Sequence, residues 1–179
     1  MWVAMGLASG GGGVAALTTG KIQLSTRLAW PLAVALGLGV GLLLYVATVA
    51  FVVTVERWPA FDRHVSEIYD QQRGLTRGVA LILASLVTAP GEELFWRGLL
   101  QWRLVESAGR PLAALVAWGA YVAANSVSGS IPILAGAVVS GAVWGGLALW
   151  THGVLASILC HSVWTGLMLC LPPGGPEAR

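Results

Sequence analysis

An unbroken apolar run from Leu28 to Thr54, with no charged residue between Arg27 and Glu56, constrains this chain more than any other feature. A helix rising about 1.5 Å per residue needs roughly 20 apolar residues to cross about 30 Å of hydrocarbon. The run exceeds that length and predicts a membrane span. Weaker or shorter apolar windows follow at residues 1–19, 76–104, 112–126, 131–150 and 153–171. Together they predict an all-α, polytopic transmembrane helix bundle of about five or six helices. Composition agrees: 56% hydrophobic and 10% charged residues belong to an integral membrane protein, not a soluble one. The window at 112–126 is too short to cross alone, so it must tilt, extend into its flanks or pack inside the bundle.

Between the second and third spans, "ERWPAFDRHVSEIYDQQRGLTR" carries most of the polar content. Phe61, Val65, Ile68 and Tyr69 recur near helical spacing there, which predicts an amphipathic interfacial helix. Three parts result: N-terminal helices with the interfacial segment over 1–74, a core over 75–172, and a polar Pro/Gly-rich tail over 173–179 expected to be frayed. The first window lacks a basic n-region and is read as a retained span rather than a cleaved signal. The tail has no terminal Cys box, so prenylation of this chain itself is not expected. The net charge of +2 comes from scattered arginines, which argues against a nucleic-acid partner. Lys and Arg divide four against five between alternating loops, so they assign no orientation. Cys160 and Cys170 are expected to be buried thiols. Gly141, Gly145 and Gly146 suit close helix approach, and Trp30, Trp58, Trp102, Trp118 and Trp150 suit interfacial anchoring.

A few ionisable groups interrupt the apolar windows: Glu92, Glu93, Arg97 and His161, with Arg103 and His152 nearer the edges. Each costs about 2.5–3.5 kcal/mol to insert, so such groups normally face a polar interior and act there. An intramembrane polar cavity is therefore expected. Glu93 and Arg97 stand four apart on one helical face and predict an ion pair. Glu92 points about 100° away, outside that pairing, and is available to work on water. A salt-bridge cluster that only holds helices together is the competing reading. His161 and Thr165 also share a face, where an imidazole and a hydroxyl aimed at one point could stabilise an oxyanion. A histidine bonded to a neighbouring carbonyl would account for His161 equally well. Tyr121 and Asn125 lie one turn apart near the end of a helical segment, so a phenol and an amide share a face, and Asn125 reads equally well as a helix C-terminal residue.

No H-E-x-x-H occurs, and His161, Glu92 and His152 share no ligand spacing. No cofactor is expected, though composition leaves a three-ligand metal site open. With Lys21 as the single lysine, a serine dyad has little to draw on.

The motif "EELFWR", Glu92-Glu93 to Arg97 followed by "GLL", resembles the E-E-x-x-x-R motif of the CPBP family of intramembrane proteases. That family comprises CAAX prenyl endopeptidases and bacteriocin-processing enzymes, also called Abi proteins. Its F-x-x-x-H motif looks like "YVAAN", with Tyr121 for Phe and Asn125 for His. Its H-x-x-x-N motif looks like "HSVWT", with His161 kept and Thr165 for Asn. The resemblance covers about residues 75–172. It implies an intramembrane endopeptidase in which Glu92 activates water, Asn125 helps to hold it, and His161 with Thr165 forms the oxyanion site. Glu93 and Arg97 would be structural support. It also implies peptide or membrane-protein substrates and residence in the lipid bilayer of a bacterial plasma (inner) membrane. Asn125 departs most from the pattern, because an amide can position water but cannot accept its proton. Two alternatives stand beside this expectation: a silent relative that binds peptides or acts in immunity, and a small transporter or proton relay.

Overall fold

The computed structural model describes residues 2–19, 22–24, 26–55, 57–70 and 76–173, the side chains of 2–9, 62 and 68–70 excepted. Among the described residues there are seven helices and no strand. They are α1 (Trp2–Thr18), α2 (Trp30–Val55), α3 (Pro59–Asp70), α4 (Arg77–Ala108), α5 (Arg110–Ser126), α6 (Ile131–Thr151) and α7 (Leu155–Cys170). The expected all-α bundle is what forms: six helices plus the short α3, with α2, α4 and α6 long and apolar enough to cross a membrane. The breaks are local chemistry. Pro31, Pro59, Pro111 and Pro132 each sit in the first turn of a helix, where a missing N–H costs no hydrogen bond. Gly109 at φ +74° separates α4 from α5, and Gly129 at φ +66° turns the chain from α5 into α6.

Helix α2 packs extensively on α7. Its apolar face is large, yet its closeness depends on two glycines one turn apart. A Cβ at Gly37 would lie 2.7 Å from the Ala156 carbonyl oxygen, and one at Gly41 would lie 2.9 Å from that of Cys160. This is the small-xxx-small contact of membrane helices, in which backbone meets backbone. Helix α1 uses the same device on α4: a Cβ at Gly13 would come within 2.8 Å of the Gly91 Cα.

Helix α4 is continuous but not uniformly α-helical. Residues Ile82–Thr88 and Leu94–Gln101 form wide π turns on either side of Ala89–Glu93. Pro90 gives a physical reason for the first. Its ring crowds the preceding turn and it lacks an N–H, and a wide turn relieves both. The Ala89 N–H accordingly bonds five residues back, to the Ala84 carbonyl.

Helix α3 is amphipathic as its spacing predicts, burying Phe61 and Val65 under Val52 of α2 while Arg63 and Glu67 stay exposed. Phe61 meets Phe51 edge-on at 5.7 Å. His64 Nδ1 accepts the Ile131 N–H at the start of α6. The side chains of Ile68 and Tyr69 lie outside the described residues. So do residues 71–75, which include the expected 74/75 boundary, and residues 174–179 of the expected tail. Two expectations need correction. Cys160 is buried but Cys170 is exposed, because it ends α7 beyond the packed part of the bundle. Trp118 is not at a helix end; it sits mid-α5 and its indole donates to the Val138 carbonyl.

Candidate active site

Three polar residues of α4 spaced four apart, Glu93, Arg97 and Gln101, form a stripe turned into the bundle, and all three are buried. Arg97 Nη1 donates to Glu93 Oε1 at 3.0 Å, which is the expected pair. Its Nη2 donates to the Gly141 carbonyl of α6 at 3.0 Å, and Gln101 Nε2 reaches the Gly145 carbonyl one turn along. Gly141 also leaves room for the Tyr121 ring of α5. A Cβ at Gly141 would strike Tyr121 Cδ1 at 2.9 Å. The Arg97 guanidinium also lies 4.5 Å from the Tyr121 ring centroid, a favourable cation–π distance.

Glu93 has a second partner that its spacing does not disclose. The same Oε1 stands 3.0 Å from Nδ1 of His161, 68 residues away on α7. The carboxylate balances Arg97 and, by accepting from Nδ1, fixes which ring nitrogen carries the proton. Trp144 of α6 holds the ring plane, stacked on His161 with centroids 3.6 Å apart and 13° between planes. Glu93 is thus more than the partner of Arg97: it orients the imidazole.

Glu92 faces elsewhere. It is half-buried and lines a cavity of about 370 Å³ whose walls come from α2 through α7. Asn125, His161 and Thr165 line the same cavity, so the four residues singled out in the sequence converge on one space. The rest of the wall is mainly apolar, with Leu44, Phe51, Ile133, Val139 and Trp164 among its members, and Phe61 and Val65 of α3 close one side. Glu92 Oε2 accepts a hydrogen bond from the Tyr121 hydroxyl at 3.1 Å. Asn125 Nδ2 donates to the Tyr121 carbonyl of its own helix at 2.9 Å. Glu92 is therefore not the unattached carboxylate that helical geometry alone suggests.

The family model for Type II CAAX prenyl endopeptidase Rce1-like proteins matches residues 75–167, just over half of the chain. The chain belongs to this family. The matched region begins just before α4 and ends within α7, so it contains Glu92, Tyr121, Asn125, His161 and Thr165 of the cavity wall. Membership in a protease family, together with the apolar helices, makes this an integral membrane protein of the CAAX protease type. No curated protein and no solved structure matches the chain.

His152 stands apart from the cavity. It ends α6 with a left-handed backbone at φ +56°, two turns beyond Trp144. Its Nε2 faces Arg110 Nη2 at 2.7 Å and its ring lies 6.0 Å from Trp102. Partial burial, with the Arg110 and Arg27 guanidiniums nearby, holds its pKa below the ordinary histidine value. Among the described residues no three His, Cys, Asp or Glu side chains gather as metal ligands do. Sequence reasoning missed Gln101, Trp144 and the bond from the Tyr121 hydroxyl to Glu92. A Glu93-Arg97-Gln101 stripe opposite Gly141 and Gly145 was the available signal for the first; the other two depend on which helices become neighbours.

Proposed function

We propose that this protein is an intramembrane endopeptidase that hydrolyses apolar peptide segments with a water activated by Glu92. The observation that carries the reading is the convergence of Glu92, Asn125, His161 and Thr165 on one apolar-walled cavity in a member of a protease family. Glu92 takes a proton from water as the water oxygen bonds to the peptide carbonyl carbon, and Asn125 helps to hold that water. Negative charge develops on the carbonyl oxygen. The Thr165 hydroxyl donates to it, and so does His161 through Nε2 when the ring is doubly protonated, with Glu93 as counter-charge at Nδ1. Collapse then breaks the C–N bond, and the proton held by Glu92 passes to the leaving amine. The apolar walls favour an uncharged peptide segment, as a peptide or membrane-protein substrate in a lipid bilayer would present. A bacterial plasma membrane is the setting proposed for it, and no cofactor enters the scheme.

One observation favours a second reading, a relative that binds peptide without cutting it: the Asn125 amide is turned back onto its own helix. A single assay separates the two. Purified protein in liposomes, offered membrane-anchored apolar peptides, is expected to cleave at least one, with E92Q and H161A losing activity about 100-fold or more. Cleavage by E92Q at the wild-type rate overturns the mechanism. Binding without cleavage by the wild-type protein favours the second reading.

A further inference from the structure

We infer that Tyr121 is a positioning residue for Glu92, its phenol supplying the hydrogen-bond partner that Asn125 does not; this rests on the hydrolytic reading above. Two contacts carry it. The Tyr121 hydroxyl donates to Glu92 Oε2 at 3.1 Å, while Asn125 Nδ2 is committed to the Tyr121 carbonyl at 2.9 Å. Both side chains come from one turn of α5, so one turn presents a phenol and an amide to the same cavity.

The ring has no freedom to place that hydroxyl anywhere else. The Arg97 guanidinium covers one face at 4.5 Å. Trp96 and Trp144 abut it edge-on at 5.5 and 6.3 Å, and Gly141 leaves room for it that a Cβ would fill. Five groups from α4 and α6 therefore aim one O–H at one carboxylate oxygen, counting the accepting Glu92. A hydrogen bond to a carboxylate is roughly twice as strong as a neutral one and has a preferred direction, so it fixes the carboxylate plane against the water it must deprotonate. A phenol can also donate, which an amide oxygen cannot. The proton taken from water still resides on Glu92; Tyr121 keeps its own and acts through the orientation of Glu92.

The test is a double-mutant cycle of Y121F and N125H in liposomes, with kcat and KM measured on a peptide the wild-type protein cleaves and E92Q as the inactive reference. Y121F keeps the ring and is expected to lower kcat about 10-fold to 100-fold with KM within about twofold, the size of a lost hydrogen bond to a charge. N125H is expected to raise kcat at least about fivefold more in the Y121F background than in the wild-type background, because the imidazole then fills a vacant role. Equal gains in the two backgrounds, or Y121F turnover at the wild-type rate, overturn the inference and leave the hydrolase reading intact. If Y121F does not fold, N125H alone decides: a rise of about tenfold or more means Tyr121 does not fill the role, and a smaller change supports it. A wild-type protein that cuts nothing overturns both.

Discussion

Trp144 and His161 lie face to face, 3.6 Å between ring centroids and 13° from parallel, while Glu93 meets the same imidazole edge at 3.0 Å. The ring is thus held in its plane by an indole and in its rotation by a carboxylate. Replacing Trp144 by Phe keeps a stacking face, whereas Leu removes it. Aromatic pairs contribute about 0.5–1.5 kcal/mol beyond burial, so turnover of W144L should fall about 2-fold to 10-fold below that of W144F. The expected readout is kcat on one cleaved peptide. Equal turnover in the two variants would mean the stack does not hold His161.

Arg97 has no exposed surface to retreat to, and its loss strands Glu93. R97M should destabilise the protein by about 3–5 kcal/mol, because a buried carboxylate is left without its cation. The double variant E93Q/R97M should recover part of that loss. Thermal unfolding in detergent measures both. A double variant no more stable than R97M would show that Glu93 and Arg97 are not energetically coupled.

Gly37 and Gly39 stand two apart on α2 and make opposite predictions. A Cβ at Gly37 collides with the Ala156 carbonyl, so G37A should cost about 1–3 kcal/mol and loosen α2 from α7. Nothing lies within 4 Å of a Cβ at Gly39, and alanine is the better helix former by about 0.5–1 kcal/mol. G39A should therefore raise the unfolding temperature slightly. The two shifts must differ in sign.

His152 sets a pH dependence at the far end of α6. Its pKa is lowered by folding, so the unfolded chain binds more protons over a window that extends below about 6.5, the ordinary histidine value. The contribution is fully present above that value and is lost as pH falls through the window. The atoms agree, since a protonated Nε2 has no lone pair for the Arg110 N–H. Unfolding temperature should decline between about pH 7 and pH 5 and decline less in H152N. Matching slopes for the two proteins would remove His152 from the account.

How far the fold could be read beforehand follows the range of the interactions. Helix positions came from local composition, and α2 begins at Trp30 where a span from Leu28 was expected. The Glu93–Arg97 pair was legible because both ends lie on one helix. The bond from Glu93 to His161 was not, since it depends on α7 docking beside α4. The shared face of the Tyr121 phenol and the Asn125 amide was legible on one helix, but Glu92 as the acceptor of that phenol was not, since it depends on α5 docking beside α4. The G-x-x-x-G at Gly37 and Gly41 was present in the sequence and passed for part of an apolar run. Pro90 marked where the first π turn would fall, whereas the second π turn and the left-handed His152 leave almost no trace in the sequence.

Helices α5 and α7, of 17 and 16 residues, reach about 25 Å each, short of the roughly 30 Å hydrocarbon layer. Asn125 is the penultimate residue of α5, and Thr165 lies five residues, about 7 Å, before the end of α7. Those ends sit on the same side of the bundle as α3, where His64 meets the start of α6 and Arg77 bonds the Cys170 carbonyl. The cavity consequently reaches from Glu92 and His161 to that end of the bundle, where Leu169 and Pro173 also line it. On the proposed mechanism, water and an apolar segment would both enter from that end, passing Asn125 and Thr165 before reaching Glu92 and His161.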